Sequence, residues 1–170
     1  MLYLNAINDA FPALALGLGE AERDVMKKPP RDPSEPILKR EHWWSMAGYG
    51  ALIAAPVFTA FLLALKVYRL DPPAAVTVSF LTLAFARLWH VFNMKDAAAP
   101  LLGNQVSRNR FVWGALVLCT GLILLAVYVP GLSAVLGTAR PGPAGWLLAG
   151  GMSFAPLVLG QAAHLALRCR

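Results

Sequence analysis

The chain has 170 residues, of which 58% are hydrophobic and 14% charged, with a mean hydropathy of +0.56. A water-soluble domain of this length is far more polar, and the apolar residues stand in long blocks instead of amphipathic stripes, which marks an all-α, polytopic membrane protein. The formal charge of +6 and the pI near 9.8 do not imply a nucleic-acid partner, because the basic residues fill the gaps between apolar blocks, where membrane proteins carry them.

Five transmembrane helices are expected in a single membrane domain, over residues 2–19, 43–65, 74–92, 111–129 and 146–167. The first block has no basic n-region and no small-residue cleavage site, so it reads as a span and not a signal peptide, and a further segment is expected before it. Its only polar side chains up to Gly19, apart from the Tyr3 hydroxyl, are Asn5, Asn8 and Asp9, spaced i, i+3 and i+4 and therefore on one helical face. Pro12 has no N–H, so in an α-helix the carbonyl of residue 8 loses its partner. A carboxylate, two amides and a loosened backbone are the oxygen ligands that hard cations take.

Residues 20–42 form a Pro-rich polar loop, with Pro29, Pro30, Pro33 and Pro36 excluding regular helix. The second span opens on Trp43 and Trp44, contains Pro56, where a kink is expected, and closes on Lys66 and Arg69. Asp71-Pro-Pro73 turns into the third, which carries one charge, Arg87. The fourth span has no charge. After a Gly- and Pro-interrupted connection, in which residues 132–136 could form one interfacial helical turn, the fifth is loosened by Gly150, Gly151, Pro156 and Gly160.

Five spans place the termini on opposite sides of the bilayer. If the first loop is cytoplasmic, that side collects Arg23, Lys27, Lys28, Arg31, Lys39, Arg40, Lys95, Arg108, Arg110, Arg168 and Arg170, against Lys66, Arg69 and Arg140 opposite. The positive-inside rule then puts the N-terminus outside and the C-terminus in the cytoplasm, with the plasma membrane as the expected location.

The run Leu4-Asn-Ala-Ile-Asn-Asp-Ala-Phe-Pro-Ala-Leu-Ala-Leu-Gly17, followed by Asp24-Val-Met-Lys-Lys-Pro-Pro-Arg-Asp-Pro-Ser-Glu-Pro36, resembles the sixth transmembrane helix and following cytoplasmic loop of P-type cation-transporting ATPases, in the calcium-pump-like branch and its bacterial members. The order of spans extends the resemblance over essentially the whole chain, and His90-Val-Phe-Asn93 is similar to bacterial members. The resemblance implies that Asn5 and Asp9 are ion-coordinating, that Asn8 occupies a position tied to ion number and choice, and that Asp24, Lys28 and Arg31 lie in the loop that couples to the phosphorylation domain. The chain contains no Asp-Lys-Thr-Gly-Thr phosphorylation run, so no ATPase activity is expected of it alone and no cofactor is assigned to it. Mg-ATP is implied only for the complete pump. The partners implied are the lipid bilayer, a monovalent or divalent cation or a proton, and the missing ATPase portion as a second chain. The alternative function is a non-transporting scaffold or regulatory fragment that associates with a complete pump.

Arg87 departs from the family pattern, since it stands near the place where some calcium pumps have an acidic ligand. An intramembrane arginine costs about 2.5 to 3.5 kcal/mol on insertion scales. Two readings stay open: a counter-charge to Asp9, the one acid in any apolar block, or a side chain that snorkels to the headgroups from near the span's end. For Asn5, Asn8 and Asp9 the alternative to ion coordination is interhelical hydrogen bonding. His90 reads as interfacial or hydrogen-bonded and His164 as a packing residue. The five tryptophans read as interfacial belt residues. Cys119 and Cys169 have the spacing of neither a disulfide framework nor a metal site.

Overall fold

The computed structural model describes residues 2–18, 40–93 and 109–168. Three short stretches, Leu2–Asn5 in α-helix, Ala6–Ala10 in π-helix and Phe11–Gly17 in α-helix, run on as one helix, α1. The others are α2 (Arg40–Lys66), α3 (Pro72–His90, continued by a 3-10 turn at Val91–Asn93), α4 (Arg110–Tyr128), the short α5 (Pro130–Leu136) and α6 (Gly142–Arg168). The elements are all helical, as the block pattern implies.

Among the described residues four helices, α2, α3, α4 and α6, are long and apolar enough to cross a membrane. The first block falls short of that standard. Its sixteen helical residues reach about 24 Å at 1.5 Å per residue, against a hydrocarbon core of about 30 Å. The helix at the fifth block starts earlier than expected, at Gly142, because Pro143 suits a first helical turn. The helix at the second block also starts earlier, at Arg40. Pro56 lies inside α2 and Pro156 inside α6, and both helices continue through them.

Local sequence sets most boundaries. Pro72 and Pro73 begin α3, where their missing N–H groups are orphans in any case, and Ala75 N–H donates to the Asp71 carbonyl at 3.0 Å. Asn109 caps α4 by accepting from the Phe111 N–H at 2.9 Å. Gly137 ends α5 in the left-handed region at φ 65°, the conformation a helix C-cap asks of glycine.

Helices α2, α3 and α6 pack on one another, and α1 lies along α4, with α3 joining the two groups. The contact faces within the first group are built from small residues: Ala60 and Ala64 on α2, Ala75 and Ala84 on α3, and Ala149 on α6, all fully buried. Small side chains let helix backbones approach closely, which matters in lipid, where tails are as apolar as leucine. Of the described glycines, Gly145 is the most closely packed. A Cβ there would stand 2.6 Å from the Pro141 Cβ and 3.0 Å from Val78 Cγ2. Thr77 stitches the α5–α6 connection to this group, donating to the Pro73 carbonyl at 2.9 Å and accepting from the Ala139 N–H at 2.8 Å.

Contacts between α1 and α4 follow a ladder of side-chain bonds to main-chain carbonyls. Tyr3 Oη donates to Leu122 O at 2.7 Å, Cys119 Sγ to Ile7 O at 3.1 Å, and Asn109 Nδ2 to Ala15 O at 2.8 Å. Each step up α1 is matched by a nearly equal step down α4, so the bonds define an antiparallel register. Asn109 therefore caps its own helix and ties the far end of α1 at once.

Candidate functional site

The π turn at Ala6–Ala10 holds Asn8 and Asp9, two of the three polar residues singled out in the sequence, and Asn5 immediately precedes it. A π turn pairs each carbonyl with the N–H five residues on, and for Ile7 that residue is Pro12, which has none. In the π register it is therefore the Ile7 carbonyl whose main-chain pairing falls on Pro12, where in the α register it is that of residue 8. Cys119 Sγ donates to the Ile7 carbonyl. The extra residue in the turn also changes which side chains share a face: Ile7 and Asn8 turn inward, while Asn5 and Asp9 stay exposed.

Asn8 is 5% exposed, and neither its Oδ1 nor its Nδ2 has a hydrogen-bond partner. An amide so placed carries a desolvation cost of about 1 to 3 kcal/mol unless something meets it. It lines a cavity of about 350 Å³ together with Asp9, Pro12, Leu16, Arg87 and His90. Among the lining residues Asp9 is the only carboxylate and Arg87 the only guanidinium. The cavity thus meets one buried neutral amide, one more exposed acid, a guanidinium and the His90 imidazole.

Arg87, on the last turn of α3, points at α1. Its Nη1 lies 3.5 Å from Asn5 Oδ1 and 3.8 Å from Asp9 Oδ1, with side-chain exposures of 37% for Arg87 and 59% for Asp9. The structure therefore brings Asn5, Asn8, Asp9 and Arg87 into one cluster. Asp24, Lys28 and Arg31 lie outside the described residues, as do the loop that carries them and Cys169. The side chain of His164 lies outside them too.

Two features escape the sequence reading. Cys119 fits no pattern in its own neighbourhood, and its bond to α1 depends on how α4 docks. Trp89 and Trp146 are not belt residues alone: Trp89 Nε1 donates to Ser153 Oγ at 3.3 Å and stacks on Phe154 at 4.8 Å, while Trp146 Nε1 donates to Tyr128 Oη at 3.0 Å. Trp43, Trp44 and Trp113 remain exposed. His90 lies against Tyr49, with ring centroids 5.0 Å apart, and reaches the cavity from α3.

Residues 1–166 match the family described as cation transporting ATPase, C-terminus. The chain belongs to that family. It is the C-terminal membrane part of a P-type cation-transporting ATPase, which fits its all-helical, membrane-length architecture. Among similar proteins, the calcium-transporting ATPase of Bacillus subtilis (strain 168) is 34% identical over 162 residues, which are 94% of this chain and 18% of that protein. A calcium-transporting ATPase of Listeria monocytogenes is 31% identical over 160 residues, again 94% and 18%. Calcium-transporting ATPase type 2C member 2 of Rattus norvegicus is 26% identical over 162 residues, 95% of this chain and 17% of the relative. The chain thus spans less than a fifth of the length of each of these relatives.

Proposed function

We propose that this membrane part supplies half of an intramembrane cation site, with Asn5, Asn8 and Asp9 as ligands, Arg87 as a resident counter-charge, and Ca²⁺ as the transported ion. The observation that supports this best is the Asn8 amide: it is buried, has no partner, and faces a cavity that Asp9 also lines. A buried polar group without a partner is rare, and a hard cation bound there would take the amide oxygen. The ligand shell is incomplete in this chain, since a calcium ion takes six to eight oxygens. Exposure of Asn5 and Asp9 leaves the open side of the cluster toward the portion that supplies the remaining ligands.

In the complete pump the loop that precedes α2, through Asp24, Lys28 and Arg31, transmits the state of the phosphorylation domain to α1. The N-terminus lies outside and the C-terminus in the cytoplasm of the plasma membrane, and the catalytic ATPase portion is the partner of this chain. The Arg87 guanidinium stays beside the Asp9 carboxylate when no ion is bound. It gives up that contact when a cation enters.

The test is ion-dependent ATP hydrolysis by the complete pump containing this chain. Asp9→Asn is expected to abolish Ca²⁺ activation, and Asn8→Ala to raise the half-saturating Ca²⁺ concentration by about ten-fold, which is about 1.4 kcal/mol of ligand free energy. Unaltered Ca²⁺ activation in both variants would refute the site.

A further inference from the structure

We infer that Cys119 is a positioning residue for the cation ligands: its thiol, reaching from α4, fixes the Ile7–Asn8 peptide plane and with it the direction in which Asn8 and Asp9 leave α1. The inference rests on the site reading above and adds to it a residue that touches no ion.

Three observations carry it. In the π turn over Ala6–Ala10 the i+5 main-chain partner of the Ile7 carbonyl is Pro12, which has no N–H to give. Ile7 is 2% exposed and Cys119 fully buried, so neither water nor lipid headgroups can meet that carbonyl in their place. The Sγ–O separation of 3.1 Å is short for a thiol donor. A π turn held only by its own geometry can shift back toward an α register, which rotates each following side chain around the helix axis. A donor on a neighbouring helix opposes that shift, because it engages the carbonyl only where the π register presents it.

The ladder between α1 and α4 shows why the donor is placed where it is. Tyr3 and Asn109 anchor the two ends of α1 to α4, at Leu122 O and Ala15 O. Between them, Cys119 is the α4 side chain that bonds to the turn carrying Asn8 and Asp9. The end anchors set the position of the helix along α4, and the central thiol sets the local register. Cys119 needs no reactivity for this role. It needs a small, apolar-compatible side chain with one donor, which cysteine provides in a buried helix face.

The experiment uses the complete pump containing this chain and Ca²⁺ as the probe. Cys119→Val removes the donor with little change of volume and is expected to raise half-saturating Ca²⁺ about five-fold, or about 1 kcal/mol, while the maximal ATPase rate changes less than two-fold. Cys119→Ser keeps a donor and is expected to return half-saturation to within two-fold of the parent. The S–H stretching band of the unmodified thiol, recorded on this 170-residue chain by itself in a Cys169→Ala background so that only Cys119 contributes, is expected at the lowered frequency of a hydrogen-bonded thiol. A free-thiol band overturns the inference without requiring any variant at Cys119 to fold. So does a Cys119→Val pump with unchanged half-saturation; if Asp9→Asn abolishes activation in the same assay, the cation site stands and only the positioning role falls. If Asp9→Asn is also without effect, both readings fall together.

Discussion

Arg87 and Asp9 allow a double-mutant cycle that reports directly on the cluster. At 3.8 Å, two unit charges attract by about 1 kcal/mol in a water-like medium and about 4 kcal/mol at an effective dielectric of 20. The side chains are 37% and 59% exposed, so solvent screening places the coupling near the lower end, at about 1 to 2 kcal/mol. Asp9→Asn leaves the Arg87 guanidinium with Asn5 as its remaining partner in the cluster, whereas Asp9→Asn with Arg87→Gln removes both charges. The expected pattern in reversible unfolding of the whole chain in bicelles is a loss of about 1 to 2 kcal/mol for Asp9→Asn, at least half of it regained when Arg87→Gln is added. In the complete pump, Arg87→Gln alone removes the cation that competes for the carboxylate. Half-saturating Ca²⁺ should then fall, by about 5- to 30-fold for the same 1 to 2 kcal/mol. A coupling energy below about 0.3 kcal/mol, within the additivity of independent sites, would refute the pairing. An unchanged Ca²⁺ requirement would refute the counter-charge role.

Three further substitutions test the framework around the site. Asn109→Ala removes the α4 cap and the bond to Ala15 O together; a loss of about 1 to 2 kcal/mol is expected from the cap alone, with faster hydrogen exchange at the start of α4 read by mass spectrometry. Thr77→Val leaves the Ala139 N–H without its acceptor, which should cost about 1 to 3 kcal/mol and lower the thermal midpoint, while Thr77→Ser keeps the bond and most of the stability. Gly145→Ala forces a methyl against the Pro141 ring and Val78; overpacking of this kind costs about 1 to 3 kcal/mol, and a yield of folded protein in detergent equal to the parent would contradict the tight approach of α6 to α3.

The apolar blocks of this chain determine by themselves that it is helical and membrane-embedded, because a bilayer admits few other ways to satisfy the backbone. Prolines and glycines mark several helix starts and stops for the same local reason, that they lack an N–H or a Cβ. Asn5, Asn8 and Asp9 stand out as the polar exceptions in an apolar run. Their grouping is legible from spacing alone, and so is the charge of Arg87 as something that requires a partner. The sequence does not tell how those residues are turned. A one-residue change from α to π register moves the carbonyl paired with Pro12 from residue 8 to residue 7, and Asn8 faces inward while Asp9 stays exposed. Nothing in residues 6–10 dictates that choice, since Pro12 is compatible with either register. It is decided by the docking of α4, which brings Cys119 to the Ile7 carbonyl, and by the docking of α3, which brings Arg87 to Asn5 and Asp9. Both contacts join residues about 80 or more positions apart. Hydrophobic periodicity carries no information at that range, because it records which face of a helix is buried and not which neighbour covers it.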